Sequence, residues 1–429
     1  MDASAPDSTR RTFVKTCTAG ALAGGLAFPA VVSAAPSTQT LRVGLVGCGG
    51  RGLGAAMEAL DADADAVLVA LGDVFEERLA DGLEALRRHA PDRVKVDKSR
   101  CFLGFDSYER VIASDVDVVL LATPPAFRPL HLAAAIDAGK HAFAECIAGV
   151  DAPGVRSFLE SANRATEKGL GILSGFCWRY DDAARALHEQ IRAGAIGEVR
   201  AVYATYYRPS FTRYYCKERR PGWSDLEWQI RDWPDFLWLG GDLCIGLSGG
   251  HSVDKMAWWF GDEMPVKAVG VGGRQFAGEG NTFDHCQVAY EYANGARGFL
   301  GVRCQDGCHQ ENADYVIGSE GVGTLGKGPA PVITGTNPWT FTGEHRRMHQ
   351  REQDEFFASI RAGRPINDGQ RMARTTLMTL MGRMAAYTGQ EITWEQALHS
   401  QEKLVPDRVD WDTKIELTPP PQPGVTKFV

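Results

Sequence analysis

Apolar and polar positions alternate along the first third of the chain in blocks rather than singly. Leu41-Arg42-Val43-Gly44-Leu45-Val46 is an apolar run of strand length that stops at Gly47-Cys48-Gly49-Gly50-Arg51-Gly52. Residues 53–60 continue with helical character, and a second strand, 66–71, ends at Gly72-Asp73. The pattern recurs: 116–121 reads as a strand running into Ala122-Thr123-Pro124-Pro125, 130–138 as a helix, and 141–145 as a strand ending at Glu145. Strands separated by helical stretches predict an α/β fold with a parallel, doubly wound sheet, whose ligands lie at the carboxyl ends of the strands.

The second half has a different rhythm. Residues 199–206, 266–271, 286–292 and 296–300 read as strands, while 252–260, 355–361 and 372–387 read as helices. Leu377, Met378, Met381 and Met384 recur at helical spacing and read as core packing. The Pro-rich stretch 419–423 predicts an extended strap over the surface.

The glycines carry chemistry. In G-x-G-x-x-G, Gly47 permits the tight turn, Gly49 lets the backbone approach a pyrophosphate, and Gly52 lets the helix pack on the strand. Gly50 and Arg51 complete this loop. Asp73, 21 residues after Gly52, falls where an acid grips a ribose 2′-OH. An acid there repels a 2′-phosphate, so NAD is expected ahead of NADP. Thr123, Pro124 and Glu145 stand at neighbouring strand ends and join the expected cofactor site.

Composition narrows the classes. Hydrophobic residues make up 44% of the 429 and charged residues 23%, as in globular proteins, which excludes a disordered, collagen-like or polytopic membrane chain. The net charge of −8 makes nucleic acid an unexpected partner. Thr9-Arg10-Arg11-Thr12-Phe13-Val14-Lys15, a weakly apolar stretch 16–32 and the small-residue site Val32-Ser33-Ala34 read as a twin-arginine leader. The expected division is a leader at 1–35, a nucleotide-binding domain at 36–165, a substrate domain at 166–400 and a tail at 401–429. The mature chain is expected outside the cytoplasm and free of the membrane. Removing Cys17 leaves nine of ten cysteines, an odd number that argues against a complete disulfide framework. Cys304 and Cys308 lack paired Cys-x-x-Cys spacing, so no metal site is expected.

The glycine loop, Ala122-Thr123-Pro124-Pro125, Ala138-Gly139-Lys140-His141, Glu145 and Gly175-x-x-x-Arg179-Tyr180 resemble the Gfo/Idh/MocA family. So do Pro221-Gly222-Trp223-Ser224-Asp225, Trp228-Gln229-Ile230-Arg231-Asp232-Trp233 and His251-Ser252-Val253-Asp254-Lys255-Met256. The likeness runs from about residue 9 to the C-terminus and is strongest to the exported, glucose–fructose oxidoreductase-like members. It implies an N-terminal Rossmann domain and a C-terminal α/β domain with a large open mixed sheet. One face of that sheet would carry a carbohydrate site and the other a homo-oligomer interface.

The motif departs from the family at three places. Where members carry Glu-Lys-Pro this chain reads Glu145-Cys146-Ile147, Leu247 stands at the position of an acid four residues before His251, and Cys177 replaces a polar residue. The stretch after Asp242 is one residue longer. The resemblance leaves His251 as the candidate base, titrating in the right range. Asp254, one turn on, would orient it or cap the turn. Cys146 is a candidate nucleophile at the nicotinamide. Arg179 and Tyr180 read as cleft residues or as an ion-paired Arg and a core Tyr. Trp223, Trp228, Trp233 and Trp238 read as a sugar platform or as packing, Gln229 and Arg231 as sugar hydrogen-bonders, and His309 as part of a polar loop reaching the site or merely solvated.

Two classes follow. One is an NAD(P)-dependent oxidoreductase acting on a sugar, polyol or glycoside, holding and recycling its cofactor, or working as a glycosidase through transient C3 oxidation. The other is a non-catalytic relative that binds nucleotide and sugar.

Overall fold

The structure, a computed structural model, describes residues 39–210, 218–276 and 278–429. The leader reading lies outside the described residues.

Six parallel strands form the first sheet: β1 Leu41–Val46, β2 Ala66–Asp73, β3 Cys101–Leu103, β4 Val118–Leu121, β5 His141–Ala144 and β6 Ile172–Ser174. Their order is β3-β2-β1-β4-β5-β6. The strands are almost wholly apolar because helices cover both faces: α1 Gly50–Ala62, α2 Glu76–His89, α3 Ser107–Ile112, α4 Arg128–Asp137 and α5 Ala152–Glu167. The winding reverses between β1 and β4, which opens a crevice at their carboxyl ends. β6 belongs to this sheet although it lies beyond residue 165.

The second sheet has nine strands: β7 Val199–Arg208, β8 Lys267–Gly273, β9 His285–Glu291, β10 Arg297–Cys304, β11 Glu311–Gly318, β12 Gly321–Leu325, β13 Val332–Gly335, β14 Trp339–Thr340 and β15 Ile392–Thr393. β7 pairs parallel with β10 and antiparallel with β11, so the sheet is mixed. The later helices are α6 Asp182–Arg192, α7 Asp225–Arg231, α8 Leu237–Gly240, α9 Gly250–Trp259, α10 Met348–Arg361, α11 Gly369–Thr388 and α12 Trp394–His399. α11 packs so tightly on β8 that a Cβ on Gly270 would meet the Ala386 backbone at 2.9 Å. Leu377, Met378, Met381 and Met384 are buried. On the other face Val269, Val271 and Ile317 stay exposed. The fold class read from the sequence is the one observed.

The tail beyond residue 400 has no regular elements and returns on itself, Ser400 Oγ donating to the carbonyl of Val429 at 2.6 Å.

Candidate active site

β1 delivers the chain to Gly47, whose φ of +95° only glycine adopts readily. A Cβ there would sit 2.7 Å from the carbonyl carbon of Ala122, and one on Gly52 would sit 1.9 Å from the carbonyl oxygen of Gly47. The loop therefore lies directly on the end of β4. Gly50 faces open space, and at Gly49 the nearest neighbour of a Cβ would be Arg78 at 3.8 Å. No side chain caps α1 at Gly49 and its first turn holds no acid. Its first N–H groups thus remain available to an anion.

This loop opens on a cleft of about 330 Å³ walled by Asp73, Arg78, Phe105, Thr123, Pro124 and Trp233. A glycine cradle, an uncapped helix and a fixed acid fit a nicotinamide dinucleotide. Asp73 accepts from the N–H of Cys48 at 2.7 Å and of Phe75 at 3.0 Å. Those bonds lock the carboxylate at the end of β2, where burial pushes its pKa up.

Thr123 is tied to the next strand through Arg128. This buried guanidinium donates to the carbonyls of Thr123, at 2.6 Å, and of Ile147. Burial brings it down to about 10.

Arg51 lines the cleft with its guanidinium engaged in ion pairs. Its guanidinium is held by Glu145 at 2.5 Å, Glu58 at 2.9 Å and Glu352 at 3.4 Å. Glu58 is shared with a second guanidinium, that of Arg347, at 3.5 Å. Glu352, fully buried on α10, is pushed well up, first by burial and then by Glu145.

Beyond Glu145 the Cys146–Ile147 peptide is cis. Sγ of Cys146 lies 3.6 Å from Nε2 of His251, the second residue of α9. Phe176 meets the imidazole edge-on at 5.9 Å, and Nδ1 is buried without a hydrogen-bond partner among the described residues. Burial lowers the His251 pKa, although the Glu145 and Asp254 charges oppose it. The ring is thus neutral at physiological pH and able to accept a proton. Burial, reinforced by Glu145, pushes the Cys146 thiol far up. A protonated thiol is a poor nucleophile, so the burial of Cys146 weighs against a nucleophile role for it.

The stretch after Asp242 winds more widely than an α-helix. Leu243–Gly249 is a π-helix running into α9, the form in which a helix absorbs an extra residue. Leu247 packs on the core.

At several residues the structure decides between the readings the sequence left open. Asp254 does not orient His251: its carboxylate takes Arg179 at 2.9 Å, Arg371 at 3.2 Å and Thr375 at 3.2 Å. Burial alone would raise it, but the two guanidinium groups hold it below its ordinary range. Arg179, bound to Asp254 and Asp262, is a buried ion-pair residue rather than a cleft residue. The Tyr180 hydroxyl donates to Asp368 at 3.0 Å from within the core. Trp228 is buried against Trp223, and the Gln229 carbonyl accepts from the Trp238 indole at 2.7 Å. Arg231 stacks 3.7 Å from the Phe75 ring centroid and pairs with Glu77 at 2.6 Å. The tryptophan-rich segment thus packs beside the glycine-loop cleft, with Ile230 and Trp233 in its wall. His309 is exposed, 3.9 Å from Glu311, in a loop beyond β10.

Sequence reading missed Arg78, Phe105, His131 and Glu352. Arg78 alone carried a signal, five residues beyond Asp73 on the helix that follows β2.

Residues 184–323 match the model of the GFO/IDH/MocA C-terminal domain. Inositol 2-dehydrogenase of Burkholderia cenocepacia (strain HI2424) is 25% identical over 297 residues, 68% of this chain and 76% of the relative. Among solved structures, levoglucosan dehydrogenase in complex with NADH and levoglucosan superposes with a TM-score of 0.65 at 18% identity, covering 83% of this chain and 99% of that one. Aldose-aldose oxidoreductase from Caulobacter crescentus, complexed with glycerol, gives 0.64 at 16% identity, covering 83% and 100%. At these identities the two structures establish the fold.

Proposed function

We propose that this chain, a homologue of the Gfo/Idh/MocA NAD(P)-dependent oxidoreductases, oxidises a secondary alcohol of a sugar, polyol or glycoside and holds its nicotinamide cofactor tightly. The observation that carries the reading is the meeting of Cys146 and His251 at the strand end next to the glycine-loop cleft. The nicotinamide, when bound, supplies the hydride acceptor. Gly47, Gly49, Gly50 and Gly52 make room for the pyrophosphate, and Asp73 takes the ribose hydroxyls. NAD is the expected form. His251 accepts the hydroxyl proton at Nε2, the nitrogen facing Cys146.

Export by the twin-arginine route belongs to the same reading, supported by Arg10-Arg11 and the stretch that follows. Free nucleotide is scarce outside the cytoplasm, so an exported enzyme would have to carry its cofactor and regenerate it in place. A homo-oligomer built through the open sheet is supported by exposed Val269, Val271 and Ile317.

A binding protein without turnover is the second reading. It is favoured by the neutral Cys146 thiol where relatives carry Lys, and by Leu247 where they carry an acid. The test is to purify the chain without added nucleotide, denature it and assay the supernatant for NAD, NADH, NADP and NADPH. Stoichiometric nucleotide that changes redox state with a hexose or polyol supports the enzyme. Nucleotide that no sugar changes leaves the binding protein, and no nucleotide, with none binding on titration, removes the dehydrogenase reading.

A further inference from the structure

The strap beyond residue 400 crosses two cavities. Phe105, Phe127 and His131 separate the nucleotide cleft from a second space of about 810 Å³. Strap residues 403–410, except Leu404, wall the outer side of that space. The strap therefore borders a space along 403–410 and meets the domain through a few apolar side chains.

Its attachments sit at its two ends. Asp151, the N-cap of α5, accepts from the N–H of Leu404 at 2.8 Å. Thr418 is held by Asn281 at 3.3 Å, and the Gly424 N–H donates to the Thr388 carbonyl at 2.9 Å. Between these points, among the described residues, no hydrogen bond ties 406–417 to the rest of the fold. Side chains alone hold the middle. The Trp411 ring lies 5.0 Å from Phe105 and 5.9 Å from Phe75. Val405, Val409 and Ile415 pack on the apolar cluster that contains Phe75 and Ile230. Phe105 and Ile230 are walls of the nucleotide cleft.

We propose that the strap is a latch on the cofactor, with Trp411 as its hook. Trp411 acts through Phe105: while it is seated, Phe105 is fixed and the cleft cannot widen at that wall. Lifting the strap frees Phe105 without breaking a backbone hydrogen bond of either sheet. Trp411 is thus a positioning residue whose effect falls on release of a nicotinamide dinucleotide. The proposal rests on the reading of the cleft as a dinucleotide site.

The test follows NADH fluorescence by stopped flow in the full chain, comparing wild type, Trp411→Ala and Trp411→Phe. Trp411→Ala is expected to release NADH up to about 10-fold faster at a nearly unchanged association rate: Trp411 is 42% exposed, an aromatic pair is worth at most about one decade, and interface changes act mainly on dissociation. Trp411→Phe is expected to restore slow release. Amide exchange in 404–417 of the wild type is expected to slow on NADH binding. Unchanged release in a Trp411→Ala protein that melts normally, or strap exchange indifferent to NADH, overturns the latch alone. Failure of the wild type to bind NADH overturns the latch and the dinucleotide reading together.

Discussion

Sγ of Cys146 sits 3.6 Å from Nε2 of His251, bringing the end of β5 against the first turn of α9. One member of this pair can take a proton and the other cannot give up its own. Burial keeps the imidazole neutral and keeps the thiol protonated. Replacing His251 by Asn is therefore expected to lower kcat by roughly 10²–10⁴-fold, the range for a positioned general base, while NADH still binds. Cys146→Ala is expected to leave kcat within about threefold, since a neutral thiol contributes no charge. Steady-state rates on the best sugar found, with NADH titration alongside, check both. A Cys146→Ala protein as slow as His251→Asn would place the chemistry on the thiol.

The pH profile follows from the same burial. In the proposed role His251 works as the neutral ring, and its folded pKa lies below the ordinary 6.5. The acid limb of kcat/KM is therefore expected to have its midpoint below that value, with a plateau through neutrality. A midpoint above it would mean that another group is the base. The stability sign agrees. A His depressed on folding contributes nothing above its unfolded pKa and costs stability as pH falls below it.

How much of this site could be read from the chain depends on sequence distance. Gly47, Gly52 and Asp73 lie within one strand–helix–strand unit, and their spacing fixes their geometry. The mates of charged side chains were not legible. Arg51 looks like a loop cation until α10 brings Glu352 to it from 301 residues away. Arg231 looks like a sugar ligand until Glu77, 154 residues distant, takes its charge. Arg179 and Asp254 each looked functional for the same reason, and they turn out to be each other's counterions.

Arg179 is thus expected to matter for stability rather than for KM. Arg179→Met removes one of two guanidinium groups from a buried Asp254, and breaking such a pair costs about 3–5 kcal/mol. The lower end is expected, because Arg371 remains. Urea melts should show the loss above the ordinary Asp pKa of 3.8 and a smaller one in acid. The native carboxylate is held below that value, so its contribution fades as pH falls through the folded pKa. A variant of normal stability with raised KM would return Arg179 to the cleft.

Glu352 has the opposite sign. Its folded pKa lies well above the ordinary 4.5, through burial first and Glu145 second. Its protonated form fits the fold, so its effect on stability is most favourable below the unfolded pKa and declines as pH rises toward the folded value. Glu352→Gln keeps the shape, removes the titration and leaves Arg51 with Glu145 and Glu58. The variant is expected to melt at or above the wild-type temperature at about pH 8 and to lose much of the wild type's decline between about pH 5 and pH 8, since burying a carboxylate that only shares one guanidinium with two others is costly. Melting curves across that range decide it. A Gln variant less stable than wild type at the alkaline end would mean that Glu352 is ionised and that Arg51 needs all three of its carboxylates.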